Sequence, residues 1–220
     1  MRNKLILLLI VLLSFSIVFP GRANSDPNNE TGKESKESKK VNLQADRVQQ
    51  NKRKNLQIAT GNVKFDFQEN NVQSNKLKMY NDTNILVFTD EVKLKRPAET
   101  ITSELIELDL NKDQLVAQDN VVLDTKKNDK ELHLTSEYLK LWLKTDDMLA
   151  RRNVEMDYDG QQIRGENLKY NAEEEEMVIN KEAEIKEDEQ WIKSDKIIVD
   201  LETGSIDATG QVEMEFEFGE

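Results

Sequence analysis

The sequence predicts an all-β protein built from repeated β-hairpins. Six times along the chain, a small residue is followed by an acidic residue or asparagine, just ahead of a strand-like run. Apolar and polar residues alternate within these runs, and polar tracts such as residues 81–84 separate them. A period near 30 residues indicates units that each cover the apolar face of a neighbour, and such a stack offers a long groove. The six pairs lie 29, 29, 33, 29 and 29 residues apart and are Ala45-Asp46, Ser74-Asn75, Ser103-Glu104, Ser136-Glu137, Gly165-Glu166 and Ser194-Asp195.

The first 40 residues are expected to precede this domain. Arg2 and Lys4 give a basic start, residues 5–19 are an apolar run, and a small residue, Ala23, offers a signal-peptidase site. The run is short for a membrane span. Residues 1–23 are therefore predicted to be a signal peptide, with a retained membrane anchor as the alternative. Residues 24–40 are polar and are interpreted as a flexible leader, and residues 41–220 as a single domain of six repeats.

The first strand of each unit carries a break in its alternation. Apolar residues lie two before, and three and five after, the small residue, as in Val72, Ser74, Leu77 and Met79. One such phase slip per strand is typical of a bulge or bend, and the acidic neighbour is expected to hydrogen-bond freed backbone N–H groups. The second strand, by contrast, is predicted to alternate without interruption, with one apolar and one wet face. The extra residues of the third interval are expected in a longer polar hairpin near residues 124–130.

The composition excludes several function classes. The formal net charge of −12 argues against nucleic-acid binding, which needs a basic surface. The 220 residues include no cysteine and one histidine, His133, so neither a thiolate nucleophile nor a zinc site is predicted. No catalytic residue, metal ligand or cofactor is predicted, because no group of carboxylates shows a pocket signature.

Short signatures in the second strands point to a family. Together with Ala45-Asp46 and the export segment, they resemble those of the LptA/OstA-like family of periplasmic lipopolysaccharide-transport proteins. The resemblance implies a twisted β-jelly-roll, open at both ends, whose interior holds the acyl chains of lipid A, and domains that stack end to end between the two membranes. The membrane-anchored LptC-type relatives share this fold. The signatures are Thr60-Gly61-Asn62-Val63, Thr89-Asp90-Glu91-Val92, Gln118-Asp119-Asn120-Val121 and Thr209-Gly210-Gln211-Val212.

Mid-stack apolar residues are the candidate lipid-binding set. A lipid with several acyl chains needs shielding, since each exposed CH₂ costs about 0.8 kcal/mol. Core packing selects the same residue types, so both roles remain open at these positions. The candidates are Leu77, Met79, Val92, Leu94, Ile106, Leu108, Val121, Leu123, Leu139, Leu141, Val154 and Met156.

The two ends of the domain are the candidate partner sites. A bare strand edge invites pairing with another chain unless charges protect it. Pairing is expected with other domains of the same fold, including a head-to-tail homo-oligomer. The edge candidates are Leu43, Ala45 and Val48 at the first end, and Val212, Met214, Phe216 and Phe218 at the last.

The predicted function is non-enzymatic carriage of lipopolysaccharide, or a similar multi-acyl lipid, from the inner to the outer membrane. The predicted location is the periplasm, or the periplasmic face of the inner membrane if residues 1–23 are retained. The main alternative is a polymerising β-solenoid scaffold that binds no lipid. An interior packed with large side chains would favour this alternative. An enzyme acting on envelope glycans is a weaker alternative.

Overall fold

The structure is a computed structural model that describes residues 41–67, 69–127, 130–158 and 160–216. The predicted signal peptide or anchor (residues 1–23), the polar leader (24–40) and Phe218 lie outside the described residues. Within these four ranges no helix is long and apolar enough to cross a membrane.

Fourteen strands form one antiparallel sheet in the described part of the chain, which confirms the all-β prediction. The strands follow one another as neighbours, as expected for a series of hairpins. Their bounds are β1 Val41–Gln44, β2 Arg47–Asn51, β3 Leu56–Phe67, β4 Asn70–Tyr80, β5 Ile85–Lys95, β6 Glu99–Asp109, β7 Gln114–Lys127, β8 Lys130–Trp142, β9 Asp147–Tyr158, β10 Gln161–Asn171, β11 Glu176–Glu187, β12 Gln190–Asp200, β13 Ile206–Thr209 and β14 Glu213–Glu215.

The two ends of the sheet are built alike. β1 and β2 pair with opposite halves of β3. In the same way, β13 and β14 pair with opposite halves of β12. Each pair is thus one strand interrupted by a bend. The first and last strands do not pair with each other, so the sheet stays open rather than closing into a barrel.

Every long strand bends once near its middle, where the pairing register shifts. In β4 the shift lies between Gln73 and Lys76, at the predicted small-acidic pair, so the phase slip of the first strand is confirmed as a bulge. The predicted inner face of the second strand is confirmed, since Leu86, Phe88, Val92 and Leu94 are all buried, but the expected continuity of that strand is not found. β5 also breaks, because Asp90 and Glu91 adopt positive φ values of 70° and 58° between Thr89 and Val92. Two inserted residues keep the alternation of faces in phase, so the sequence pattern conceals this break.

The small residue at each bend is tied to its own strand. The Oγ atoms of Ser74, Ser103, Ser136 and Ser194 donate to the carbonyl oxygen two residues ahead, at 3.1, 2.9, 3.1 and 2.7 Å. The acidic neighbour acts as expected at Asp195, whose Oδ2 accepts a hydrogen bond from the backbone N–H of Gln211 at 3.3 Å. These bonds satisfy polar groups that the broken ladder leaves unpaired.

The bends fold the sheet into two layers, here called A and B. Layer A contains β2, β13 and the strand halves that include Leu77 and Phe88. Layer B contains β1, β14 and the halves that include Phe65 and Val72. The rings of Phe65 and Phe88 meet edge to face with centroids 5.5 Å apart, so the apolar faces of the two layers pack against each other. This is the two-layer open jelly-roll that was predicted.

The third repeat interval lengthens strands instead of adding a loop. β7 and β8 have 14 and 13 residues and remain paired to Lys127 opposite Lys130. The four additional residues thus extend the hairpin beyond its neighbours in layer B.

Candidate functional site

The predicted lipid-binding residues all lie on the inner faces of the two layers. Eleven of the twelve are buried, and Met79 is partly buried against the same core. The side chains of one layer therefore fill the space beside those of the other. In this conformation the interior is closed to solvent at Leu77, Leu94, Ile106 and Leu139, each with no exposed surface.

The innermost row of layer A alternates small and large side chains. Ala117 lies between Ile106 and Leu139, and Ala150 lies between Leu139 and Leu168, each as a direct cross-strand neighbour. Small residues beside large ones let two packed faces interdigitate. This row is the part of the interior nearest the bends.

The adjacent inner row of layer A is rich in methionine. Met79, Met148 and Met177 occupy this row, next to Leu86, Tyr170 and Val199 respectively. Methionine is unbranched and polarisable, so it adapts to irregular apolar partners better than valine or isoleucine. This row lies between the innermost row and the hairpin turns.

The turns of layer A form a hydrogen-bonded ladder, which is interrupted where the N–H of Ala172 donates to Asp147 Oδ1 at 3.0 Å instead. The last residue of a turn has positive φ, and its carbonyl oxygen accepts the N–H of the first residue in the next turn. Asn55 accepts from Asn81 at 3.0 Å, and Asn84 accepts from Leu110 at 3.1 Å. The same bond joins Asp113 to Leu143 at 2.8 Å and Glu175 to Leu201 at 2.8 Å.

The ladder has a chemical consequence for the rim. Leu110, Leu143, Ala172 and Leu201 occupy the same position in successive turns. Leu201 is buried and Leu110 is more than a third exposed. Four of the turns of layer A thus contribute one apolar side chain each to the rim, and their other residues are mostly polar.

The rim of layer B carries a buried ion pair that the sequence pattern did not predict. Arg96 Nη1 lies 2.8 Å from Glu99 Oε1, and the two side chains are 13% and 3% exposed. Arg96 Nε also donates to Asn70 Oδ1 at 2.9 Å, which links two neighbouring turns. Burial raises the pKa of the Glu99 carboxyl, and the positive charge of Arg96 only partly opposes this. The closed rim therefore disfavours the ionised carboxylate.

The two rims meet at this ion pair. A shallow surface pocket is lined by Arg96 from layer B and by Leu141, Trp142, Leu143 and the two aspartates that follow Thr145 in layer A. We call this region the mouth. It could not be found from spacing, because Arg96 and Trp142 belong to different hairpins and come together only through the folding of the sheet.

The predicted edge residues lie at the two open ends, with two qualifications. Leu43 and Val48 are in β1 and β2, Met214 is in β14, and Phe216 follows it. Ala45 and Val212 lie at the bends between the half-strands rather than in a strand. Trp191 Nε1 donates to Glu215 Oε2 at 2.8 Å and fastens the last half-strand to the sheet.

Exposed apolar residues concentrate at these ends. Val48 and Met214 are each more than half exposed, and Val41, Ile206, Val212 and Phe216 exceed a third. Two of their neighbours one strand further in, Ala59 beside Val48 and Val199 beside Ile206, are buried. Each end of the domain thus exposes apolar side chains that continue the inner rows of the core.

Comparison with known proteins identifies the family. The family described as LptA/(LptD N-terminal domain) LPS transport protein matches residues 71–205, which is more than half of the chain. Among solved structures, the crystal structure of LptH, the LptA-homologous periplasmic component of the lipopolysaccharide transport device from Pseudomonas aeruginosa, aligns with a TM-score of 0.32 and 8% identity, over 81% of this chain and 96% of that one. No curated protein matches the sequence. The repeated bent hairpins and the family match together show that this chain belongs to the LptA/LptD N-terminal domain family of lipopolysaccharide transport proteins.

Proposed function

We propose that this chain is a non-enzymatic periplasmic carrier that holds the acyl chains of lipopolysaccharide between its two layers and passes the lipid from the inner to the outer membrane. The observation that carries the proposal is the continuous apolar inner face of a sheet whose ends are open. The family membership supports lipopolysaccharide as the cargo.

The lipid would enter by parting the layers at the mouth. The interior is closed in the present conformation, so each acyl chain must replace side-chain contacts as it enters. The free-energy cost of replacing these contacts is smaller where the inner side chains can change conformation, as methionine can. The methionine row of layer A lies beside the mouth. Sugars and phosphates would remain outside, since burying an unpaired charge is far more costly than leaving it in water.

Transfer along a chain of domains would use the open ends. If β13 and β14 of one copy continued into β2 and β1 of the next, the inner rows would place Ala208 beside Val48 and Met214 beside Leu43. The exposed apolar residues of both ends would then be covered, and the two interiors would become continuous. Pairing of this kind supplies backbone hydrogen bonds for affinity and side-chain rows for register.

The packed interior supports a second candidate function. A scaffold that polymerises through the same ends and carries no lipid requires only a dry core, and the buried residues provide one. The two functions differ in what the inner residues touch when lipopolysaccharide is present.

Photocrosslinking separates the two candidates. A leucine-sized diazirine residue replaces Leu123, which is 1% exposed on the inner face, or the adjacent Val122, which faces outward in the same strand. We expect lipopolysaccharide to be captured from position 123 and not from position 122, because only the first lies between the layers. Capture from neither position, with both proteins folded, would favour the scaffold.

A further inference from the structure

The outer face of layer A carries a row from β3 to β12 in which more than half of the side chains are aliphatic. From Ile58 to Val178, successive cross-strand partners in this row alternate between an aliphatic residue and a charged one, for example Val87, Glu107, Val116, Lys140 and Leu149. The outer face, which was expected to be wet because its residues are mostly polar, thus also carries aliphatic side chains in layer A. The aliphatic members, all partly buried, are Ile58, Val87, Val116, Leu149, Val178 and Ile198.

Two neighbouring rows of this face, here called the basic face, are basic, although the chain has a net charge of −12 and the third row, next to the turns, carries the carboxylates of Asp109, Asp147, Glu176 and Asp200. In the two basic rows, from β3 to β12, six cations face one anion, Glu107. Within the described residues, none of the six lies in an ion pair. The cations are Lys76, Lys78, Lys140, Arg151, Lys169 and Lys196.

Layer B presents a different outer face. From β9 to β12 its cations alternate with carboxylates, and Arg164 pairs with Glu155 at 3.4 Å and Lys193 with Glu184 at 3.5 Å. In β3 and β5 of layer B, Lys64, Lys93 and Lys95 lie in no ion pair among the described residues, so the two layers differ in the number of such cations rather than in their presence.

Aromatic rings mark the centre of the basic face. Lys140 Nζ lies 4.5 Å from the ring centroid of Trp142, and the guanidinium of Arg151 lies 6.0 Å from that of Tyr138. These residues surround the aliphatic Leu149 on β8 and β9. We call this group the basic aromatic patch, and Trp142 also lines the mouth.

We propose that the basic aromatic patch docks this protein on the anionic surface of a lipid bilayer. Lysine and arginine around an aliphatic centre, with tryptophan and tyrosine at its border, are the side chains that settle at the membrane interface. A protein partner fits less well, because lysine is depleted in protein–protein interfaces.

The shape of the sheet agrees with this occupant. Neighbouring strands rotate by about 20–25°, so a flat surface can touch only a few strands of a long sheet at once. The basic aromatic patch lies on β8 and β9, so it is no wider than the few strands that a flat bilayer can contact at once. Docking there would hold the mouth at the level of the lipid headgroups, and it is independent of whether the interior carries lipid.

Site-specific fluorescence tests the docking, since the chain contains no cysteine to interfere with labelling. A single cysteine bearing an environment-sensitive dye replaces Leu149 in the full chain, and a second protein carries the dye at Val122 on the outer face of layer B. Each is mixed with phosphatidylcholine vesicles that contain or lack phosphatidylglycerol. We expect a blue shift at position 149 only, with phosphatidylglycerol only, and its loss at high salt.

Charge neutralisation provides the matched comparison. Lys140→Gln with Lys169→Gln removes two charges from the basic face, and Lys93→Gln with Lys95→Gln removes two from the outer face of layer B. At about 1 kcal/mol for each charge near the anionic surface, the first pair should raise the lipid concentration for half-maximal shift about 30-fold. The second pair should leave it unchanged. An aqueous signal at position 149, equal shifts at both dye positions, or equal effects of the two charge pairs would overturn the proposal.

Discussion

At the scale of single residues, each bend depends on a small side chain fitting beside the next strand. Gly165 occupies the place that serine holds in four of the other units. A Cβ atom added there would lie 2.5 Å from Ile179 Cγ2, too close for any real contact. At the matching place next to Ser103, Ser136 and Ser194 the neighbouring strand carries Ala117, Ala150 and Ala208, and next to Ser74 it carries Phe88.

We predict that restoring the repeat pattern by Gly165→Ser will destabilise the protein by about 1–3 kcal/mol, because the added atoms overpack against Ile179. Ile179→Ala alone should cost about 2–5 kcal/mol by leaving a cavity. The double variant should lose less than the sum, since each change makes room for the other. Urea unfolding of the four proteins measures this coupling, and additive losses would contradict the assigned contact.

At the scale of the element, the two strands of a hairpin bend by different backbone conformations. One strand uses a small residue and a bulge, and its partner uses two successive residues with positive φ, as at Asp90-Glu91, Asp119-Asn120 and Lys181-Glu182. The left-handed conformation costs about 1–2 kcal/mol for a residue with a Cβ atom, and glutamate has little local hydrogen bonding to offset it. The family signature Thr-Gly-Asn-Val at the first bend places a glycine where that cost is removed.

Replacing glutamate by glycine at such a bend should therefore stabilise the fold. For Glu91→Gly, with φ of 58°, we expect a gain of about 0.5–1 kcal/mol after the greater entropy of glycine in the unfolded chain is subtracted. The matched control is Glu104→Gly in β6, where φ is not positive and a loss of similar size is expected. Chemical denaturation gives both values, and a loss at Glu91 would show that the pair is not strained.

At the scale of the whole molecule, the two ends differ in charge. The first edge and its turn carry Arg47, Lys52, Arg53 and Lys54, whereas the last strands carry Asp207, Glu213 and Glu215. Head-to-tail association would bring opposite charges together, and association of like ends would not. In the in-register continuation of the sheet, Asp207 lies one row from Arg47, within diagonal reach.

A charge exchange tests the polarity of assembly. Arg47→Glu alone and Asp207→Lys alone should each weaken self-association several-fold, as expected for a cross-strand charge pair worth about 0.2–1 kcal/mol. The chain carrying both changes should recover most of the affinity, since the exchanged charges again attract. Sedimentation velocity at low salt measures the three proteins against the parent. Failure of the double variant to recover would contradict head-to-tail pairing through these strands.

Much of the fold could be predicted from the chain because its repeat is local. The alternation around Leu77 and Met79 defines a strand and its inner face, and the structure places both residues there. The break at Asp90-Glu91 could not be seen, because two added residues leave the alternation unchanged. Val87 and Val116 stand next to core residues in the sequence, so the apolar outer row they form became visible only once the registers aligned them.

Strand identity, the position of the turns and the inward side chains follow from the chain alone, since a period of two residues is a property of neighbouring residues. The folding of the sheet onto itself does not follow from such a period. It brings Arg96 to Trp142 and Phe65 to Phe88, and it closes the interior through contacts between residues of different hairpins. The mouth and the basic aromatic patch arise at that level, because they depend on which rows of the sheet lie side by side and which layer each row faces.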